Sequence, residues 1–290
     1  MAQLVELEKI KKTAIVAMFA DDDLMDLLVL KGGNAIDMIY QVNARASVDL
    51  DFSTHDDLNY EKVAQQVHRS LRRTFELEGY LAFDITTRVR PGKMPEDLAA
   101  FWGGYLVEFK LISLERATEL DHDSQRLQRE AIRLGKGTKF TIDISRHEYV
   151  EGKQEQDLLG YQIFVYSPEM IVCEKLRAIC QQMPAYGEII HRKGVGKQRA
   201  RDFVDIEALI KKFDLDLGSD RAMHIIEQMF LSKKVPLTYL STIESTRDFH
   251  RLGFEQVVAA MKDGVVVKAF DEYFDFVLEH ARKLEPLWNV

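Results

Sequence analysis

The sequence predicts an α+β protein in which a mixed sheet with flanking helices is followed by a helical C-terminal domain. From about Leu27 to Tyr166, short strand-like apolar runs alternate with helical patterns. From Ser167 onward, the apolar residues recur almost entirely at helical spacing. We therefore expect a sheet-containing domain over residues 1–166 and a helical domain over residues 167–290.

Six runs are typical of strands because they are short and rich in β-branched and aromatic residues. In chain order they are LLVLK, VDLDFS, GYLAFDITTRVR, GYLVEFKLI, KFTIDIS and YQIFVY. The border with the helical half is marked by Ser167, Pro168 and Glu169. Serine is a good N-cap, proline suits the first helical position, and glutamate is favourable in the first turn.

Composition restricts the class of protein. The 290 residues are 46% hydrophobic, which is enough for a packed core, and the formal net charge is −8. That charge argues against a protein that coats nucleic acid nonspecifically. The only two cysteines, Cys173 and Cys180, suggest neither a disulfide framework nor a zinc site. With no long apolar run and a charged N-terminal region, we expect a cytoplasmic protein without a membrane segment.

Two aspartates alternate with apolar residues in the run Val48-Asp49-Leu50-Asp51-Phe52. On a strand, Asp49 and Asp51 face one side and their apolar neighbours the other. Two carboxylates roughly 6 to 7 Å apart repel each other. A divalent cation such as Mg²⁺ would bind both and also hold substrate phosphates. The alternative is that both aspartates only form the solvated face of an amphipathic strand.

Paired glycines, Gly32 and Gly33, lie between a strand-like segment and the helix-like run that Asn34 opens. Glycines at such a turn let the backbone approach a phosphate, and the N–H groups at a helix start favour an anion. A simple tight turn would explain the glycines alone. Followed by Arg45, Ser47 and the two aspartates, they predict a nucleotide site.

These motifs resemble those of the AbiEii-type nucleotidyltransferases, which are toxins of abortive-infection toxin–antitoxin systems within the DNA polymerase β-like nucleotidyltransferase superfamily. LKGGNAI followed by RASVDLDF is similar to the first motif of that family, and FTIDIS to its later core strand. IVCEKLRAI is similar to its lysine-bearing helix and RARDFVDIEALI to its R-D-x-x-D helix. The resemblance implies a nucleotidyltransferase-fold domain that moves a nucleotidyl group from an NTP to an acceptor, with a helical domain closing over the cleft.

The resemblance also implies roles for single carboxylates. Asp49 and Asp51 would hold Mg²⁺, with Mn²⁺ as the alternative ion. Asp143 is the candidate third carboxylate, which would bind a second metal ion or act as general base. Glu108 competes for that role, and Asp143 could equally be a solvated strand aspartate.

The nucleotide would be held by Gly32, Gly33, Asn34 and Lys175. Many family members carry serine or threonine where this chain has Asn34, whose amide can still bond a phosphate oxygen. Lys175 is implied to contact the phosphates, although a lysine beside a buried stripe usually extends to water. Asp202, preferred here over Asp205, would orient the lysine or the nucleotide.

A basic run, HRKGVGKQRAR, lies between two C-terminal helices and contains Arg192, Lys193, Lys197 and Arg199. Such a run is usually a solvated loop. If the acceptor is RNA, these cations would contact its phosphates.

Three hypotheses follow. The first is an Mg²⁺-dependent nucleotidyltransferase that acts as a toxin on tRNA or another translation component and is neutralised by a cognate antitoxin. The second is a nucleotide-binding regulator of the same fold without transfer activity. The third is a metal-dependent phosphohydrolase, which the sequence supports least because His55 and His68 lack ligand spacing.

Overall fold

The computed structural model describes residues 2–42, 49–55, 59–133, 137–261 and 264–289. The α+β class predicted from the sequence is confirmed. A seven-stranded sheet with the strand order β3-β4-β5-β2-β1-β7-β6 has helices packed beside it, and helices make up nearly all the regular structure after β7.

The strands are β1 Val29–Lys31, β2 Leu50–Ser53, β3 Tyr80–Arg90, β4 Gly104–Ser113, β5 Phe140–Ser145, β6 Gln154–Leu158 and β7 Tyr161–Val165. The sheet is mixed, because β1 pairs with β7 and β2 with β5 in parallel, whereas the other pairs are antiparallel. Each of the six predicted runs contains a strand. The polar edge strand β6 was not predicted.

The α-helices are α1 Ala2–Phe19, α2 Asp22–Leu27, α3 Gly32–Asn34, α4 Tyr60–Leu77, α5 Glu96–Ala99, α6 Leu114–Glu119, α7 Ser124–Glu130, α8 Pro168–Cys180, α9 Pro184–Ile189, α10 Ala200–Phe213, α11 Asp220–Ser232, α12 Arg247–Arg251, α13 Phe254–Ala259 and α14 Phe270–Arg282. A π-helical turn, Ala35–Ile39, follows α3, and 3-10 helices cover Leu237–Thr246 and Glu285–Leu287. Within the described ranges, no helix is both long and apolar enough to cross a membrane.

One face of the sheet is apolar and packed against helices. Phe52 of β2 contacts Phe19 of α1, with ring centroids 5.9 Å apart, and Phe109 of β4 contacts Phe75 of α4 at 5.6 Å. Because side chains alternate along a strand, the packing of Phe52 places its neighbour Asp51 on the opposite face. Core packing therefore sets the direction in which the aspartates project.

The chain divides into two compact units that are not continuous in sequence. The first comprises residues 1–32, 48–150 and 154–165, and it contains every strand of the sheet. The second comprises residues 33–47, 151–153 and 166–290 and is helical over its described parts. The sequence predicts a single border after residue 166, so the units differ from that prediction by two short inserted segments.

The second unit is built around α8 and α10. Ser167 caps α8 by accepting a hydrogen bond from the Met170 N–H at 3.2 Å, and Pro168 occupies the first turn, as the sequence predicts. Phe203 of α10 stacks on Phe274 of α14 at 4.9 Å. In the same unit, the Tyr40 hydroxyl donates to the Tyr166 carbonyl, which ties the segment after β1 to the start of the helical region.

Candidate active site

Three strands of the first unit bring a lysine and two aspartates into one row. Lys31 of β1 is the register partner of Asp51 on β2, and Asp51 is the register partner of Asp143 on β5. Register partners on neighbouring strands project from the same face of a sheet. We call Lys31, Asp51 and Asp143 the sheet cluster. Its lysine is buried, whereas both carboxylates are half-buried and thus partly open to solvent.

Asp49 lies one residue before β2 and is exposed. Its Oδ1 accepts a hydrogen bond from the Thr141 hydroxyl at 3.2 Å. Thr141 and Asp143 lie two residues apart on β5, so they share a face of the sheet. Asp49 is therefore on the side of the sheet that carries Asp51 and Asp143. Arg45, Ser47 and Val48, which contributed to the sequence prediction, lie outside the described residues.

The structure requires glycine at position 32, the first of the glycine pair. Gly32 has a φ of 72°, in the left-handed region that disfavours other residues. A Cβ atom at this position would lie 2.5 Å from Asp51 Oδ2, much closer than contact distance. The missing side chain thus leaves room for the carboxylate of Asp51. Gly33 follows in α3, and Asn34 is wholly buried, so its amide is not at the protein surface.

Two cations, Lys31 and Arg90, lie near the carboxylates of the sheet cluster. The Lys31 ammonium donates to the Ser145 hydroxyl at 3.2 Å and lies 3.5 Å from Glu148 Oε1. The exposed Arg90 side chain donates to Asp143 Oδ2 at 3.0 Å. Burial raises the pKa of Asp143; the charges of Arg90 and Lys31 oppose the rise, and Asp49 adds to it. The result is a carboxylate that binds a proton more readily than a free aspartate.

Glu108, the competitor for the third-carboxylate role, lies on β4 opposite Thr141. Its oxygens contact Arg88 at 3.1 Å and Lys139 at 3.2 Å. With two cations already bound, Glu108 is less accessible to a metal ion than Asp143. The register partner of Asp51 is Asp143, which favours Asp143 for a role beside the metal.

The donor set fits magnesium bound together with a substrate. Asp49, Asp51 and Asp143 supply only carboxylate oxygens, which Mg²⁺ prefers, and Gly32 keeps the space beside Asp51 open. Over the residues that the structure describes, no three histidine, cysteine or carboxylate side chains form a ready-made metal site. Mg²⁺ is usually held by one or two carboxylates together with substrate phosphates and water. A site completed by the triphosphate is consistent with this arrangement.

A second lysine–aspartate group lies in the helical unit. The Lys175 ammonium on α8 donates to Asp202 Oδ1 at 2.9 Å and to Asp205 Oδ2 at 2.7 Å, both on α10. We call these three residues the helical cluster. Their exposed fractions are only 5%, 2% and 2%, respectively. From the sequence, Asp202 is favoured over Asp205 as the residue that orients the lysine or the nucleotide. In the structure, both carboxylates accept a hydrogen bond from Lys175.

Positive charge keeps the buried Asp202 ionised. Burial by itself opposes ionisation, but the charges of Arg199, Lys175 and Arg201 outweigh it and hold the pKa of Asp202 below its usual range. The Arg199 Nε atom lies 2.8 Å from Asp202 Oδ2. The helical cluster therefore joins α8 to α10 through charges that are shielded from water.

The basic loop between α9 and α10 uses half of its predicted cations for its own structure. The Arg192 guanidinium donates to the carbonyls of Gln181, Gln182 and Met183 at 2.9 to 3.2 Å. Arg199 is engaged with Asp202, as described above. Lys193 and Lys197 have exposed side chains. Within this loop, the exposed lysines are therefore the candidates for contact with a phosphate backbone.

A family model described as "Nucleotidyl transferase AbiEii toxin, Type IV TA system" matches residues 14–280. The chain belongs to this family. The resemblance inferred from the motifs is thereby confirmed: this AbiEii-family protein is a nucleotidyltransferase and the toxin of a type IV toxin–antitoxin system, which implies a cognate antitoxin.

Two solved structures are similar to this AbiEii-family chain. A putative nucleotidyltransferase from H. pylori has a TM-score of 0.49 and 16% identity, with 99% of this chain and 96% of that chain covered. An antigenic nucleotidyltransferase-like protein from Paracoccidioides brasiliensis has a TM-score of 0.39 and 14% identity, with 86% and 92% covered. A comparison with curated proteins gives no match.

Sequence reasoning missed two residues of the AbiEii-family site. Lys31 precedes the glycine pair and was interpreted only as the end of a strand, yet it is the register partner of Asp51. Arg90 ends a long strand and contacts Asp143. The alternation of Asp49 and Asp51 gave no information about the neighbouring strands. Only the pairing of β1 and β2, and of β3, β4 and β5, brings these cations to the carboxylates.

Proposed function

We propose that this nucleotidyltransferase uses Mg²⁺ to transfer a nucleotidyl group from an NTP to an RNA acceptor, with tRNA as the favoured class. The observation that carries the proposal is the row of Asp51 and Asp143 on adjacent strands, with Asp49 on the same side and Gly32 making room for Asp51. This arrangement supports metal-assisted chemistry on a triphosphate, and the family match supports nucleotidyl transfer as the reaction.

The bound metal would neutralise phosphate charge and position the triphosphate for in-line attack. Asp49 and Asp51 would hold it through their carboxylate oxygens. In the transfer step, a bond forms between the acceptor hydroxyl oxygen and the α-phosphorus. The bond from that phosphorus to the oxygen bridging to the β-phosphate breaks, and pyrophosphate leaves. Asp143, beside Asp51, would accept the hydroxyl proton or bind a second metal ion.

The remaining predicted residues have supporting roles in this proposal. Gly32 and Gly33 would let the backbone approach the phosphates, with Asn34 completing the turn. Lys175 would counter phosphate charge, and Asp202 would orient it. The two aspartates at the Lys175 ammonium support a positioned lysine, because each accepts one of its hydrogen bonds. The effect of a Lys175 substitution on activity therefore has to be measured together with its effect on protein stability.

The test is to incubate the purified protein and total RNA with each NTP labelled at the α-phosphate, with and without Mg²⁺. We expect label in RNA only with Mg²⁺. Asp51→Asn should lower the rate on the order of a thousandfold, because a carboxylate that holds the metal is worth several kcal/mol in the transition state. Asp157→Asn, another strand aspartate but on the edge strand β6, is the matched control and should remain active.

Expression in bacteria gives the corresponding cellular result. Without the antitoxin, we expect the wild-type chain and the Asp157→Asn variant to arrest growth, and Asp51→Asn to relieve the arrest at an equal soluble level. Full transfer activity in the Asp51→Asn variant would refute the proposed metal site. Label that enters protein but not RNA would refute the proposed acceptor.

A further inference from the structure

The helical unit contains a large open cavity with mostly apolar walls. Its volume is about 1110 Å³, slightly above the usual range for small-ligand sites. The walls come from the end of α8, from α9 and the basic loop, and from the 3-10 helix Leu237–Thr246 with α12. Lining residues used below are Glu188, Val195, Tyr239, Phe249 and His250. Tyr239 and Phe249 are half-buried, so part of each ring remains accessible.

The basic loop that forms one wall is fixed at both ends. Arg192 binds three carbonyls at the end of α8, and the Lys197 N–H donates to Gln182 Oε1 at 2.8 Å. A Cβ atom on Gly196 would lie 2.4 Å from the Gln182 carbonyl oxygen, so this position requires glycine. The Arg199 N–H donates to His250 Nδ1 at 3.0 Å. The loop is therefore preorganised, and a ligand would not have to order it.

The tip of this fixed loop presents charge and apolar surface together. Lys193 and Lys197 have exposed side chains, and Val195 between them is 88% exposed. The chain as a whole carries a formal charge of −8, so two exposed lysines beside an apolar cavity differ from the average surface. Cations next to accessible aromatic rings are the usual composition of sites for single-stranded nucleic acid.

His250 supports the cavity wall as a wholly buried residue. Its Nδ1 accepts from the Arg199 N–H, so the neutral ring carries its proton on Nε2. That Nε2 atom is buried and has no hydrogen-bond partner among the residues described. Burial lowers the pKa of His250 to about 4, which keeps the ring neutral near pH 7. Because this nitrogen is not exposed to the cavity, His250 holds the wall in place through Arg199 and does not itself contact a ligand.

We propose that this cavity binds an unpaired nucleotide of the RNA acceptor, with the base against Tyr239 and Phe249 and the flanking phosphates at Lys193 and Lys197. The inference rests on the proposed function, because RNA is the acceptor named there. Every base has a face that stacks on an aromatic ring, so the partly accessible rings of Tyr239 and Phe249 suit an unpaired base.

A single RNA nucleotide fits the charge of the cavity better than a free NTP. Two exposed lysines match the one or two backbone phosphates beside a bound base. A triphosphate brings about four negative charges and would need more cations or a metal ion. The acidic Glu188 also lines the cavity and would repel a triphosphate more strongly than the one or two phosphates of a strand nucleotide. The observations therefore favour one nucleotide of a strand.

The test measures binding of a short single-stranded RNA by fluorescence anisotropy, without NTP or Mg²⁺, over a series of salt concentrations. Phe249→Leu keeps apolar volume but removes the ring face, and we expect about tenfold weaker binding with an unchanged salt slope. The matched control is Phe276→Leu, which removes another half-buried ring of the helical unit that does not line the cavity. The control should bind RNA as the wild type does.

Removing the two lysines should produce a different signature. Lys193→Gln with Lys197→Gln should weaken binding and lower the salt slope by roughly 0.7 for each lost phosphate contact. Arg282→Gln with Lys283→Gln removes the same two charges at the end of α14, outside the lining residues, and is the matched control. Thermal denaturation of all four variants checks that they are folded.

Unchanged RNA affinity in both cavity variants would overturn the proposal, as would equal losses in the cavity variants and their controls. Competition by a free NTP as effective as that by RNA would also overturn it. The two proposals fail separately. RNA that binds in the cavity but is never labelled refutes the proposed acceptor. RNA that is labelled, but binds the cavity variants as tightly as the wild type, refutes only the cavity site.

Discussion

The sheet cluster and the helical cluster both place a lysine beside two aspartates, but they differ in access to water. In the sheet cluster, Lys31 is buried while Asp51 and Asp143 are half-buried. In the helical cluster, the lysine and both aspartates are at most 5% exposed. Partly exposed carboxylates can exchange water for a metal ion, whereas buried, paired charges hold together the helices that carry them. The same residue types are therefore open to a metal ion in one unit, whereas in the other they are engaged with each other and stabilise the packing of α8 on α10.

The largest expected effect on stability separates the clusters. Lys175→Met leaves two buried carboxylates without their lysine, so we expect a loss of about 3 to 5 kcal/mol in the free energy of unfolding. Asp51→Asn, in the sheet cluster, should change it by about 1 kcal/mol or less. Denaturant titration measures both. Adding Asp205→Asn to Lys175→Met should restore part of the loss, and a fully stable Lys175→Met variant would contradict the structural role.

The pH dependence of stability tests the burial of His250 beside the helical cluster. Its native pKa of about 4 lies below the ordinary value of 6.5, because burial and the charge of Arg199 outweigh the charge of Asp202. Between those pH values the unfolded ring binds a proton that the native ring does not. The free energy of unfolding should thus fall as pH falls from 6.5 to 4, by about 3 kcal/mol in total.

The measurement is the difference between the wild type and His250→Asn across that pH range, which cancels the contributions of other groups. Asp202 affects stability over a different pH range. Its native pKa is lowered, so the stability that it contributes is lost only below its ordinary value of 3.8. A pH-independent difference between the two proteins would show that His250 is not held neutral by the fold.

Gly32→Ala tests the space reserved for Asp51. The variant combines an unfavourable positive φ with a Cβ contact of 2.5 Å to Asp51 Oδ2, and we expect a loss of about 1 to 3 kcal/mol together with weaker Mg²⁺-dependent NTP binding. Gly79→Ala is the matched control: its φ is 82°, and no described atom would lie within 4 Å of the new Cβ. Calorimetry should show altered NTP binding only for Gly32→Ala.

The smallest expected effect is at the exposed edge of the sheet cluster. Arg90 is largely exposed and contacts Asp143 at 3.0 Å, so Arg90→Gln should cost less than about 1 kcal/mol. The loss should shrink further at high salt, because exposed charge pairs are screened. A loss in the free energy of unfolding as large as that of Lys175→Met would show that the exposed charge pair and the buried helical cluster stabilise the protein equally.

The sequence predicted the strands whose pattern reflects burial. VDLDFS and KFTIDIS alternate strictly, and the strands within them, β2 and β5, bury the apolar residues that the structure describes. β6 was missed because its residues, QEQDL, are nearly all polar, and it pairs only with β7 at the sheet edge. The segment after Gly33 was predicted to be an ordinary helix, but it contains the π-helical turn Ala35–Ile39. Hydrophobic periodicity does not distinguish these two helical forms.

Tertiary contacts account for what the sequence could not predict in the candidate site. The contact of Lys175 with both Asp202 and Asp205 depends on how α8 packs against α10. From the sequence alone, the four cations of the basic loop were equally good candidates for contact with RNA phosphates. Whether a guanidinium is directed into a helix end, as for Arg192, or a lysine toward solvent, as for Lys193, is decided only by the folded chain.

The discontinuity of the two units has a consequence for synthesis on the ribosome. A nascent chain ending at residue 165 already contains all seven strands. Tyr40 would still lack two contacts, because its ring packs against Phe213 at 5.5 Å and its hydroxyl donates to the Tyr166 carbonyl. The described part of this segment, residues 33–42, therefore remains without its final packing until the C-terminal helices emerge. The turn after Gly32 is therefore completed only late in the synthesis of each chain.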